Sequence, residues 1–254
     1  NETLVLPLDD LEALESCFKT HSQSIACVII EPVPANNGLL LQRKSYLEGL
    51  RQLCTDYGIL LIFDEVISGF RVGFEGAAGR YNIAPDIVTY GKIIGGGMPV
   101  GAYGASAHIM GHVAPDGAVY QAGTLSGNPV AMAAGFAAAS QLIADGFYEK
   151  LETKTQKFVA QIQGHCDAKG YEMKIRTIAS IFWMAFSHDD IRRADQIDAA
   201  SMDKFKLLHS FLIDRGVYLG PSGYEVGFIS AAHHQPELDD ACQLICDGLD
   251  WVLG

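Results

Sequence analysis

Three short apolar runs organise the first half of the chain: Ile25–Ile30, Gly58–Val66 and Ala84–Thr89. Each is apolar with few charges, the pattern of a buried strand in a parallel sheet, and the second ends in two acids. Between the first two, Tyr46–Tyr57 sets Leu47, Leu50 and Leu53 among charged residues at helical spacing. Strand, helix and strand in this order predict a βαβ unit. Ahead of it, Asp9–Glu15 reads as the acid-capped start of an amphipathic helix that ends before the polar Thr20–Ser24. An alanine-rich helix is expected over Val130–Ile143. From Phe147 the texture changes to a charged amphipathic helix (Tyr148–Gly164), apolar runs at Ile178–Phe186 and Val217–Leu219, and a helix over Ser201–Gly216 that Gly216 stops. The expectation is an α/β domain over residues 1–146 and a smaller α+β domain over 147–254.

With 49% apolar and 19% charged residues, the chain of 254 residues has enough apolar surface to bury a core. Its net charge of -12 argues against nucleic acid or an acidic membrane as partner. No apolar stretch is long enough to cross a bilayer, and residues 1–24 lack the pattern of a signal peptide. Six scattered cysteines, without a Cys-x-x-Cys pair, fit reduced thiols in a cytoplasmic protein. The Cys242/Cys246 and His108/His112 pairs lie four apart and would share a helix face, but no third ligand stands at a recognisable spacing, so no metal site is expected.

The chemistry concentrates between residues 58 and 101. The second apolar run ends in Asp64-Glu65, and the C-terminal edge of an open α/β sheet is where ligands sit. The third leads to Gly91-Lys92-Ile93-Ile94-Gly95-Gly96-Gly97, with no other Lys or Arg between Arg80 and Lys150. A lysine set apart from other charges in an apolar, glycine-lined place is expected to have a lowered pKa and to serve as an amine nucleophile. A buried acid for a ring nitrogen and a lysine able to form a Schiff base are the two groups that pyridoxal phosphate chemistry requires. Taken singly, Asp64 also reads as a helix cap and Lys92 as a surface residue. Thr124-Leu125-Ser126-Gly127-Asn128-Pro129, ahead of the alanine-rich helix, suits either a bound phosphate or an ordinary N-cap.

The wording of these segments resembles the class III, fold type I pyridoxal-phosphate-dependent aminotransferases. The likeness is carried by Phe63-Asp64-Glu65-Val66-Ile67-Ser68-Gly69-Phe70-Arg71, by Tyr90–Gly104, by Tyr120-Gln121-Ala122-Gly123-Thr124-Leu125-Ser126-Gly127-Asn128-Pro129, and by Gly216–His233. It implies a three-layer large domain, present here in part, and pyridoxal 5'-phosphate as cofactor. By the same resemblance Lys92 and Asp64 are catalytic, while Val66, Asn36, Gly123 and Thr124 border the cofactor, with Glu31 near it. Thr124 would reach the phosphate of the other subunit in a homodimer with shared active sites, and Glu225 would stand at the substrate mouth. Within the family, the match points to intramolecular amino transfer converting (S)-4-amino-5-oxopentanoate to 5-aminolevulinate for tetrapyrrole synthesis. An ordinary aminotransferase and an inactive partial chain are the alternatives. Since Asn1 is not Met, and the family's first phosphate loop and substrate-carboxylate arginine have no counterpart, the chain is expected to be the C-terminal part of a longer enzyme. Ala35, Ser68 and Trp183 depart from the common wording; Trp183 would either narrow the pocket or fill the smaller domain's core.

Overall fold

The computed structural model describes residues 3–254. Two compact units emerge: one runs to Val33 and resumes over Gln42–Asp145, and the other comprises Pro34–Leu41 with Gly146–Gly254. The excursion Pro34–Leu41 therefore belongs with the second unit, a segment that the reading above kept with the first.

In the first unit, Asp10 caps α1 (Leu11–His21) by accepting a hydrogen bond from the Ala13 amide at 2.9 Å. Then come β1 (Cys27–Ile30), α2 (Lys44–Tyr57), β2 (Leu60–Glu65), α3 (Gly76–Tyr81), β3 (Ile87–Tyr90), β4 (Ala102–Ala105), α4 (Ala107–Met110) and α5 (Pro129–Leu142). The sheet order is β1-β2-β3-β4; the first three strands are parallel and β4 runs antiparallel. Helices α1 and α2 cover one face, burying Leu14, Phe18, Leu47 and Leu50 against Ile30, Leu61 and Phe63. Each such side chain contributes about 1.5–3 kcal/mol. The opposite face behaves otherwise: Ile29 is 62% exposed and Leu60 37%. The expectation that β1 is fully buried thus fails, because alternate side chains point to opposite faces and the helices of this unit cover one of them.

A carboxylate fastens α2 to the sheet. Asp86 Oδ2 accepts from the Leu61 amide and from Arg51 Nη1, both at 2.7 Å. Burial pushes its pKa up, but these two donors outweigh that and hold it below the usual value.

The second unit contains α6 (Phe147–Lys169), β5 (Lys174–Ile178), β6 (Ile181–Ala185), α7 (Ser201–Ile213), β7 (Gly227–Phe228) and α8 (Gln235–Leu253). The strands form an antiparallel sheet in the order β5-β6-β7. Its core joins Phe158 and Ile162 of α6, Phe182 of β6, Leu208 of α7, and Ile245 and Leu249 of α8. Asp250 ties α8 to the end of α6, accepting from Lys169 Nζ at 2.9 Å and Tyr171 Oη at 2.8 Å, with His165 Nε2 also at 2.8 Å. Those partners lower its pKa to about 2. The run Val217–Leu219 is not a strand; the third strand is the two-residue β7. Helix α8 was not anticipated, although Leu238, Cys242, Ile245 and Leu249 fall on its buried face.

Glu65, the last residue of β2, is completely buried. Its Oε2 accepts from Ser68 Oγ at 2.9 Å and the Ala77 amide at 2.7 Å, and its Oε1 accepts from the Ala78 amide at 2.9 Å. Gly76 makes room: a Cβ there would lie 2.4 Å from Glu65 Oε2, and its φ of +63° suits glycine. Substituting Glu65→Gln keeps the shape but turns an amino group toward N–H donors. We expect a loss of about 1–3 kcal/mol in denaturant unfolding; an unchanged midpoint would show that Glu65 does not brace the turn.

Candidate active site

Strands β2 and β3 are parallel neighbours, with Asp64 opposite Thr89 and Glu65 opposite Tyr90. The chain leaves β3 at Gly91 and enters a 3-10 turn, Lys92–Gly95. Asp64 and Lys92 therefore stand at the same C-terminal sheet edge. Asp64 is half-buried. Its two hydrogen bonds, from the Val66 amide at 3.0 Å and Thr89 Oγ1 at 3.3 Å, both fall on Oδ1. That arrangement orients the carboxylate and leaves Oδ2 to accept from another donor. Val66 is half-buried, its Cγ1 3.2 Å from where a Cβ on Gly91, the residue before Lys92, would sit.

Lys92 is exposed, so the apolar enclosure expected around it is not built by this chain. What the structure does impose is an unusual backbone: φ at Lys92 is +47°, a left-handed conformation that disfavours any side chain with a Cβ. Helix α5 braces this turn by close backbone contact. A Cβ on Gly96 would lie 2.2 Å from Ala134 O, and one on Gly135 would lie 2.1 Å from Ile94 O. The close approach of α5 to the lysine turn thus depends on glycine at both positions.

Gly123 and Thr124 lie in an exposed turn before α5. The amides at the helix start are already engaged, since Asn128 Oδ1 accepts from Val130 N at 3.0 Å and Ala131 N at 3.2 Å. The ordinary N-cap, one of two readings of this segment, accounts for those two donors. Asn36 and Glu225 fall in the second unit, and both are exposed. Ser68, a departure from the family wording, donates to Glu65, a task that needs only its hydroxyl. Two residues with a part in the site escaped the sequence reading: Glu65 as the buried brace and Gly135 as the contact beneath Lys92. Among the described residues no group of three or more His, Cys, Asp or Glu is placed to hold a metal. Cys242 and Cys246 are spent on the core of the second unit.

The family model for class-III aminotransferases matches residues 5–245. The chain belongs to that family. It is 48% identical over 249 residues to a glutamate-1-semialdehyde 2,1-aminomutase of Bdellovibrio bacteriovorus, covering 98% of this chain and 58% of the relative. A protein of the same name from Leptospira biflexa is 50% identical over 233 residues, covering 91% and 55%. The crystal structure of an omega-transaminase from Sphaerobacter thermophilus superposes with a TM-score of 0.92 at 30% identity, covering 99% of this chain and 57% of that one. The α/β fold is thus that of the pyridoxal-phosphate-dependent aminotransferases. The chain spans little more than half the length of these relatives.

The residues present fit the cofactor of the family. A carboxylate with one oxygen available, an amine at the same sheet edge and an aliphatic side chain beside Gly91 match a protonated ring nitrogen, a carbonyl carbon and a ring face.

The brace beneath Lys92 makes a prediction whose sign runs against helix propensity. Replacing a helical glycine by alanine ordinarily stabilises by about 1 kcal/mol. At Gly135 the new methyl would meet a backbone oxygen that cannot swing aside, and overpacking of this kind costs about 1–3 kcal/mol. Gly135→Ala should therefore lower the melting temperature of the full-length protein; a rise would show that the turn yields freely.

Proposed function

We propose that the full-length protein is a glutamate-1-semialdehyde 2,1-aminomutase, converting (S)-4-amino-5-oxopentanoate to 5-aminolevulinate with pyridoxal 5'-phosphate. The observation that carries the reading is the pairing of Asp64 and Lys92 at one edge of β2 and β3. Identity of 48% and 50% to proteins of that name supports the choice of reaction. When bound, the cofactor supplies an electron-accepting ring conjugated to the reacting carbon. Asp64 Oδ2 holds the ring nitrogen in its protonated form. Lys92 Nζ would anchor the cofactor and, once released from it, would move protons between cofactor and substrate carbons as general base and acid. Val66 packs on a ring face, Asn36 borders the ring, and the Glu225 carboxylate orients the polar substrate at the mouth.

The test is an assay without an added amino donor or keto-acid acceptor. An aminomutase must keep its intermediate through both halves of the reaction, so 5-aminolevulinate should form from glutamate-1-semialdehyde alone. Glu225→Ala should reduce kcat/KM about 10- to 100-fold, the worth of one charge-assisted hydrogen bond. Strict dependence on an added donor, with product nitrogen drawn from it at each turnover, would show an ordinary aminotransferase.

Thr124, with Gly123, is assigned to the phosphate of a neighbouring subunit, which requires a homodimer with shared active sites. In support, Tyr120, Leu125, Val130 and Phe136 are 83%, 67%, 61% and 78% exposed in and after this turn. Sedimentation of the full-length protein should show a dimer that loses cofactor on dilution; a monomer holding it tightly would exclude shared sites. A cytoplasmic setting accords with six unpaired cysteines and with the lack, among the described residues, of any single helix long and apolar enough to cross a membrane.

A further inference from the structure

Trp183 is the largest side chain of β6, and the structure shows what it touches. It sits in β6, 3% exposed, directly opposite Arg176 of β5. Its indole Nε1–H donates to Gly223 O at 2.8 Å. The ring lies flush against Gly38, where a Cβ would come within 2.9 Å of Cζ2 and 3.0 Å of Cη2. Gly38 has φ +78°, and its own amide donates to Tyr224 O at 2.6 Å.

One indole thus joins two segments. The first is Pro34–Leu41, whose exposed tip carries Asn36 and whose far end is held by Arg192 Nη1 on Leu41 O at 2.7 Å. The second is the turn Ser222–Glu225, closed by the Glu225 amide on Ser222 O at 2.9 Å. Asn36 precedes Gly38 by two residues and Glu225 follows Tyr224 directly, so each site residue is one short step from the latch. Behind Glu225, the gap among Phe182, Trp183, Phe205 and Val226 measures about 10 Å³. That is at the lower bound for a single water and too small for any substrate group.

We infer that Trp183 is a positioning residue: it latches the Asn36 loop to the Glu225 turn, fixes the reach of the Glu225 carboxylate, and closes the space behind it so that only small polar substrates are accepted. The inference rests on the roles proposed above for Asn36 and Glu225. Phenylalanine lacks both the N–H that reaches Gly223 and the Cζ2 and Cη2 atoms that lie on Gly38, so Trp183→Phe releases both segments at once.

The experiment uses the full-length, cofactor-loaded protein and two variants, Trp183→Phe and Gly38→Ala. Hydrogen exchange read by mass spectrometry should rise about fivefold in the peptide spanning Pro34–Leu41, the effect of losing one neutral hydrogen bond, with exchange in β6 unchanged. In both variants KM for glutamate-1-semialdehyde should rise by a similar factor of about five while kcat stays within about twofold, because reach rather than chemistry is altered. A purely structural role would lower the melting temperature and leave KM alone. Unchanged exchange in Trp183→Phe, or faster exchange with unchanged KM, overturns the inference. If the wild-type protein forms no 5-aminolevulinate, the proposed reaction fails, and the latch is then decided by exchange alone: a faster Pro34–Leu41 peptide supports it, an unaltered one removes it.

Discussion

A carboxylate shut away from water must find every one of its partners inside the protein, and Glu65 finds them in two helix-start amides and one hydroxyl. Much of the first unit follows from that requirement. Successive residues of a strand face opposite ways, so anchoring Glu65 inward sends Asp64 to the other face of β2. The turn that follows is drawn tight as well: the Gly69 amide donates to Glu65 O at 2.8 Å, and a Cβ on Gly69 would come within 2.6 Å of that oxygen and of the Tyr90 ring. One acid holds the turn while its neighbour keeps one oxygen available on the other face. The two tasks cannot be exchanged, because only the buried position is supplied with donors on both carboxylate oxygens.

The amine opposite Asp64 is held by different means. No side chain of the turn grips Lys92; backbone meets backbone at Gly96 and Gly135, and the absence of Cβ atoms sets the separation. The second unit uses a third device, a large ring pressed on a glycine. In all three places a glycine stands where an element must approach something more closely than alanine permits, and the partner differs: a carboxylate, a carbonyl, an indole.

Much of this was legible in the sequence. The β-branched runs and the leucine spacing of Tyr46–Tyr57 gave strands and helix close to their observed bounds, and the acids and lysine at the ends of two runs fall at one sheet edge, as their places in the runs imply. What remained hidden has physical causes. The apolar pattern of Ile25–Ile30 could not distinguish one covered face from two, which is why Ile29 and Leu60 came as exposed residues. Pattern alone cannot decide which of two adjacent acids turns inward, so Glu65 was overlooked beside Asp64. Val217–Leu219 has the composition of a strand and lacks a neighbour to pair with, whereas β7 is too short to leave any periodicity. The expected seclusion of Lys92 was inferred from its glycines, but glycines record close backbone approach, and seclusion of a long side chain needs walls that they do not provide.

The left-handed backbone at residue 92 places folding and chemistry in opposition. Glycine adopts that conformation without penalty, whereas a lysine held there costs on the order of 1–3 kcal/mol. A lineage selected for robustness alone would drift to glycine at this position and gain a sturdier protein. Under the role proposed for Lys92, residue 92 becomes a tracer of use: among descendants of this chain, its exchange for glycine would be an early mark of a copy released from catalysis.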